Sequence, residues 1–206
     1  MAYSDFTLED LKSQFSLKLV EVMGTFSAEP VPVSDYLQET IQRNLLLATA
    51  INTEKARSEF LIAPVLAELK QINPNISLFS GTEFTVDKEK GLNGTCDFLI
   101  SRSSEQLTIE APVTVIVEAK KENLNAAVPQ CIAEMVATQT FNNGKGNPIE
   151  SIYGIVTSGS IWRFLRLDKH IVTIDLKEIY LSPLEVLLGL LMSTLKEEHD
   201  SMPITY

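Results

Sequence analysis

The sequence predicts an α/β (α+β) fold in which a mixed sheet is flanked by helices. Three observations predict it. Apolar residues recur at helical spacing up to about Gln71, and from Asn73 the period changes to that of strands. The order that follows is three strands, a helix, then more strands and a closing helix, which calls for layers of helices on a sheet. The chain has 206 residues, of which 45% are hydrophobic and 21% charged, enough to bury a full core.

Each element has a local cause. Thr7 and Asp10 resemble a capping box, which opens a short helix ending near Phe15. After the Pro-containing stretch AEPVPVS, Ser34 is placed to cap a helix over 35–51, with Leu37, Ile41, Leu45 and Ala48 on one stripe. A third helix is expected over 53–71, its apolar face holding Ile62, Leu66 and Leu69. Pro64 inside it implies a kink or two abutting pieces. Strands are expected at 76–86, 95–101 and 113–120, with DKEKGLNG as the turn after the first. A helix is expected over 126–141, beginning near Pro129, and NNGKGNP breaks the chain after it. Strands at 152–157, 161–167 and 171–176 form a small meander. Ser182 is expected to cap a final helix that runs to about Glu197 with Pro183 in its first turn. Residues 1–51 are read as a helical extension packed on the core, and 52–206 as the main domain.

Composition excludes several functions. No apolar run reaches transmembrane length, and the acidic start MAYSDFTLEDLK lacks the basic and apolar regions of a signal peptide. A cytoplasmic setting is therefore expected. Two cysteines and two histidines exclude a Cys/His zinc cluster and a disulfide framework. Cys96 is expected to be a small core residue. The net charge of −10 opposes tight non-specific binding of nucleic acid. That charge is uneven. Residues 1–54 hold 8 acids and 3 bases, 178–206 hold 5 and 1, and 55–177 hold 14 and 13.

Two strings concentrate the chemistry: GTCDFLI around Asp97, and TVIVEAKK around Glu118 and Lys120. Each is an apolar, strand-like run with ionisable residues set into it. Buried charges are costly unless paired or bound to a metal. Strand side chains repeat with period two, so Glu118 and Lys120 leave one face while Val113, Val115, Val117 and Ala119 form the other. With Asp97 on the neighbouring strand and the Ala119 backbone carbonyl, the set is oxygen-rich and suits Mg²⁺ or Mn²⁺. Such a metal polarises a phosphate and acidifies a bound water, and Lys120 would orient that water or offset developing charge. The competing reading is a plain buried Lys–Glu pair, or a strand end whose Lys120 and Lys121 reach solvent.

These residues resemble the PD-(D/E)XK nuclease superfamily, the restriction-endonuclease-like fold. Its αβββαβ core is matched over about 52–176. The resemblance assigns Asp97 and Glu118-Ala119-Lys120 to the catalytic motif. It assigns Glu59, in KARSEFLIAPVLAEL, to the acid of the first core helix; that stretch is similar to the nuclease part of type I restriction subunits. Gln130 in AAVPQCIAEMVA matches the Gln of the helix after the third strand. Cys96 stands where the superfamily's name has Pro. The resemblance implies a Mg²⁺- or Mn²⁺-dependent deoxyribonuclease, with Glu59, Asp97, Glu118 and the Ala119 carbonyl on the metal. An RNA or nucleotide phosphodiesterase would share the site. The alternative class is a non-catalytic DNA- or protein-binding module that keeps the fold.

Other residues carry weaker signals. Glu59 also reads as an ordinary exposed helix acid. Gln130 would hold a water or a phosphate, and Glu134, four residues on, reads as solvated or salt-bridged. Arg163, Arg166 and Lys169, with Trp162 and Phe164 interleaved, offer a substrate contact; an antiparallel hairpin with a half-buried aromatic face is the stronger reading. The closing helix is apolar nearly all round, which suggests a homodimer interface shared with the 35–51 helix. A partner protein supplying DNA recognition is the other expected association.

Overall fold

A computed structural model describes residues 1–121 and 123–196. Its elements are α1 (Leu8–Phe15), β1 (Lys18–Val22), α2 (Asp35–Ile51), α3 (Glu54–Arg57), a π-helical turn (Ser58–Ile62), α4 (Ala63–Ile72), β2 (Ser77–Glu83), β3 (Thr95–Ser101), β4 (Val113–Ala119), α5 (Leu124–Gly144), β5 (Ser151–Thr157), β6 (Ile161–Asp168), β7 (Ile171–Asp175), β8 (Ile179–Tyr180) and α6 (Leu184–Ser193). The sheet has eight strands in the order β1-β7-β6-β5-β4-β3-β2, with β8 paired to β6. Pairs β1–β7 and β4–β5 are parallel and the others antiparallel, so the sheet is mixed.

Two apolar layers cover the sheet. On one face, Ile116, Leu165 and Leu167 pack with Leu11 of α1 and with Cys131, Ile132 and Met135 of α5. On the other, Val115, Val117, Trp162 and Phe164 pack with residues of α2, α4 and α6. Gly154 of β5 allows α5 to approach closely, since a Cβ there would lie 2.4 Å from Met135 Sδ. No helix among the described residues is long and apolar enough to cross a membrane.

Most of the helix starts follow from their caps. Thr7 Oγ1 accepts from Asp10 N at 3.1 Å and Ser34 Oγ from Leu37 N at 3.1 Å. The expected break at Pro64 is resolved by the π-helical turn just before it. Proline has no N–H to give the carbonyl four residues back, and Asn44 Nδ2 donates to that orphaned Phe60 oxygen at 3.3 Å.

Several expectations are corrected. Residues 1–51 are not wholly helical: they supply β1, a half-exposed edge strand whose partner begins at Ile171. Helix α5 starts five residues before Pro129, at an Asn123 cap, because a proline near a helix start forfeits only one bond. It also runs through the first residues of NNGKGNP. Leu45 lies outside the α2 stripe and is 42% exposed. Pro183, not Ser182, caps α6, with no side-chain bond. The expected end near Glu197 lies outside the described residues, and the helix stops at Ser193. Leu187 to Leu191 of α6 are buried within the chain itself. The 26–33 stretch lies across it so closely that a Cβ on Gly189 would meet the Glu29 carbonyl. Part of the apolar surface of α6 is therefore covered from within the chain, while Leu184, Val186 and Met192 are only partly buried. Trp162 and Phe164 are fully buried rather than half-buried.

Candidate active site

The site grows from the paired ends of β3 and β4. Their ladder aligns Phe98 with Val117, so Asp97 and Glu118 are the next residues outward. Asp97 Oδ2 accepts from Ala119 N at 2.8 Å, and Lys120 N donates to Thr157 O of β5 at 2.8 Å. The strand end is thus held from both sides. Two strands further along the same row, Val156 pairs with Glu118 and Arg163 with Val156.

Asp97 opens on a cleft of about 280 Å³, lined also by Ala119, Ser80, Gly81, Glu54 and Glu59. A local irregularity puts it there. The β2–β3 pairs step from Ser80–Phe98 to Thr82–Cys96 across Gly81, whose φ is +60°. Phe98 belongs to the α2/α4 layer, yet Cys96, two residues away, is packed in the α5 layer. The facing of β3 therefore switches beside Asp97. Cys96 is buried as expected, and both cysteines are free.

Glu118 has the opposite surroundings. It continues the β4 residues that pack under α5 and is 1% exposed. Its Oε1 accepts from Lys120 Nζ at 2.8 Å, while Oε2 is buried with no hydrogen-bond partner. Burial, and then the Asp97 charge, push its pKa up to about 7 against the opposing pull of Lys120. Burial draws the Lys120 ammonium down, but the hydrogen bond and charge of Glu118 raise it on balance.

Glu134 is the residue that sequence reasoning misplaced. It is fully buried, not solvated or salt-bridged. Cys131 to Thr138 of α5 are all buried, so no face of that turn meets water. Gln130 Nε2 donates to Glu134 Oε1 at 3.1 Å, and Oε2 has no partner. Burial first, and the Glu118 charge second, hold the Glu134 carboxyl well above the usual range. Gln130 thus fixes a carboxyl through Nε2. The signal was available: Glu134 sits inside an unbroken run of small and apolar residues, CIAEMVA.

The remaining predicted residues divide. Glu59 reaches the cleft from the π-helical turn but is exposed and paired with Lys55 at 3.0 Å. Glu54, not singled out from sequence, lines the same cleft, and its charge acts on Glu118 and Lys120. Its helix is clamped by Arg57, which donates to Ser158 O and Ser160 Oγ at 3.0 Å in the β5–β6 turn. Arg163 lies in the Glu118 row but is buried, donating to Asn125 Oδ1 at 2.5 Å and pairing with Glu178 at 3.6 Å. Arg166 is not brought to the site. It sits across from Tyr153, three residues further along β6, and pairs with Asp168 at 2.8 Å.

By donor type, the row fits a hard divalent cation: Glu118 keeps one buried oxygen unpartnered, and Asp97 commits only Oδ2. Among the described residues, no group of three or more His, Cys, Asp or Glu is gathered closely enough to hold a metal. A cation here would take much of its shell from water, as Mg²⁺ commonly does. No protein-family model matches the chain, and no curated protein is similar enough to count as a relative.

Proposed function

We propose that the protein is a metal-dependent nuclease that hydrolyses phosphodiester bonds, with DNA as substrate, on a restriction-endonuclease-like core. In this reading α3–α4, β2, β3, β4, α5 and β5 form the αβββαβ unit. The observation that carries it is the juxtaposition of Asp97, Glu118 and Lys120 at adjoining strand ends, with a buried Glu118 oxygen left unpaired. Two neighbouring carboxylates against one lysine make a site that gains from an added cation.

Mg²⁺ or Mn²⁺ held by Asp97, Glu118 and the Ala119 carbonyl would supply Lewis-acid chemistry at a phosphate. The chain's own residues set the stage. Asp97, fixed by Ala119 N, presents its other oxygen to the cleft. Glu118 holds Lys120 Nζ, and an ammonium has two further N–H donors to turn toward a water or a phosphate oxygen. Gln130 keeps Glu134 in place behind Glu118. Glu59 and Glu54, across the cleft, would add acceptors for outer-shell water.

One observation favours a second reading, a non-catalytic binding module. The Glu118–Lys120 and Glu59–Lys55 pairs are closed on themselves, as in a structural network. Cleavage of supercoiled, linear and single-stranded DNA and of RNA, in Mg²⁺ or Mn²⁺, separates the two. Metal-dependent cleavage lost in both Asp97→Ala and Lys120→Ala supports the nuclease. No cleavage, or equal cleavage by wild type and variants, moves the assignment to the binding module.

A further inference from the structure

The groove between α2 and the β8–α6 corner is apolar, open and unassigned. It has a volume of about 720 Å³ and is walled by Ile41, Leu45, Tyr180, Leu181, Pro183 and Leu184. The apolar surface continues past it on α2, where Leu46 is 79% exposed and Leu47 46%. Five of the eleven exposed large hydrophobic side chains of the described residues lie on this one helix. A cluster of that kind marks an interaction surface, while single exposed apolar residues do not.

The charge around the groove selects the occupant. Helix α2, which forms one wall, carries two acids, Asp35 and Glu39, and one base, Arg43. Arg43 is already paired with Glu39 one turn away. On the opposite wall, Glu185 lines the groove, and 178–195 holds no base at all. The charged side chain in the lining is thus acidic, Glu185, and Asp35 and Glu39 lie on the helix that forms the facing wall. We propose that the groove docks a basic amphipathic helix of a partner protein, its apolar side chains in the trough and its Lys and Arg residues against Asp35, Glu39 and Glu185. A second copy of this chain would set those same acids against each other. The inference stands apart from the nuclease reading, since no residue that lines the groove lines the Asp97 cleft.

The test uses the full chain and two labelled helical peptides of about 18 residues, one Leu/Lys and one Leu/Glu with the same apolar spacing. Binding is read by fluorescence anisotropy at about 0.1 M salt. The Leu/Lys peptide is expected to bind, with affinity falling about tenfold in Leu45→Gln/Leu184→Gln and about threefold in Glu39→Gln/Glu185→Gln. Leu107→Gln, at an exposed apolar residue elsewhere, should change nothing. The Leu/Glu peptide should bind at least tenfold more weakly. Circular dichroism matching the wild type keeps the variants interpretable. Equal binding of the Leu/Lys peptide to wild type and groove variant, or no binding to either, overturns the proposal. So does a wild-type dimer in light scattering that the groove variant splits, because a second copy then fills the trough.

Discussion

The paired ends of β3 and β4 present two carboxylates in two different media. Asp97 looks into an open cleft, while Glu118, its neighbour in the next register position, is sealed beneath α5 with Glu134 behind it. One strand spacing separates them, and burial drives the sealed pair, Glu118 and Glu134, toward the neutral form. A carboxylate's chemistry is set by what covers it more than by the strand that carries it.

The largest effect is expected where the sealed side loses its cation. Lys120→Ala leaves Glu118 buried without the ammonium on Oε1, and breaking a buried pair costs about 3–5 kcal/mol. Lys120 is 28% exposed, so water recovers part of that, and a loss of about 2 kcal/mol is expected. Urea unfolding at pH 8 in chelator measures it. An unchanged midpoint would mean that Glu118 is already protonated there.

The next effect concerns pH. Glu118 and Glu134 bind protons more tightly in the folded chain than in the unfolded one. Below the unfolded carboxylate range both states are protonated and the contribution of these two groups is fully present. As pH rises from about 4.5 through about 7, the unfolded chain releases protons that the folded chain retains, and stability falls. Glu134→Gln removes part of that slope and should raise stability at pH 8 by about 1–2 kcal/mol. Thermal unfolding of both proteins at pH 5 and pH 8 without divalent metal checks this, and parallel pH profiles would show that Glu134 binds its proton no more tightly in the folded chain. Adding Mg²⁺ should raise the wild-type midpoint more at pH 8 than at pH 5, since a cation competes with the proton for the same oxygens.

How much of this contrast was legible in the sequence depends on range. The Thr7–Asp10 box, the Ser34 cap and the Pro64 interruption are local, and each acted where it stood. The Glu-x-Lys alternation is also local and put both groups on one face, joined by a 2.8 Å bond. Strand β1 escaped because five half-exposed residues become a strand only through a partner some 150 positions away. Glu134 was misread because a pair spacing on a helix says which residues share a face, but not what covers that face. The side of Asp97 turned on Gly81, a glycine in a different strand. The strand alternation that sends Arg163 and Arg166 to opposite faces is local and was legible, whereas the Tyr153 that faces Arg166 belongs to another strand.

On the open side smaller changes are expected. Asp97→Asn keeps an oxygen for Ala119 N and should cost no more than about 1 kcal/mol, while removing metal-dependent cleavage if the nuclease reading holds. Glu59→Gln sharpens the contrast furthest. Its partner Lys55 is 82% exposed and Glu59 itself 54%, and exposed i,i+4 pairs contribute only about 0.3–0.5 kcal/mol. Stability should therefore be unchanged within error by urea unfolding. Any tenfold or larger loss of cleavage in the same variant must come from the cleft, because nothing in the fold depends on that carboxylate. If stability and cleavage both stay at wild-type values, Glu59 is a surface acid, and Glu54 becomes the residue that faces Asp97 across the cleft with chemical consequence.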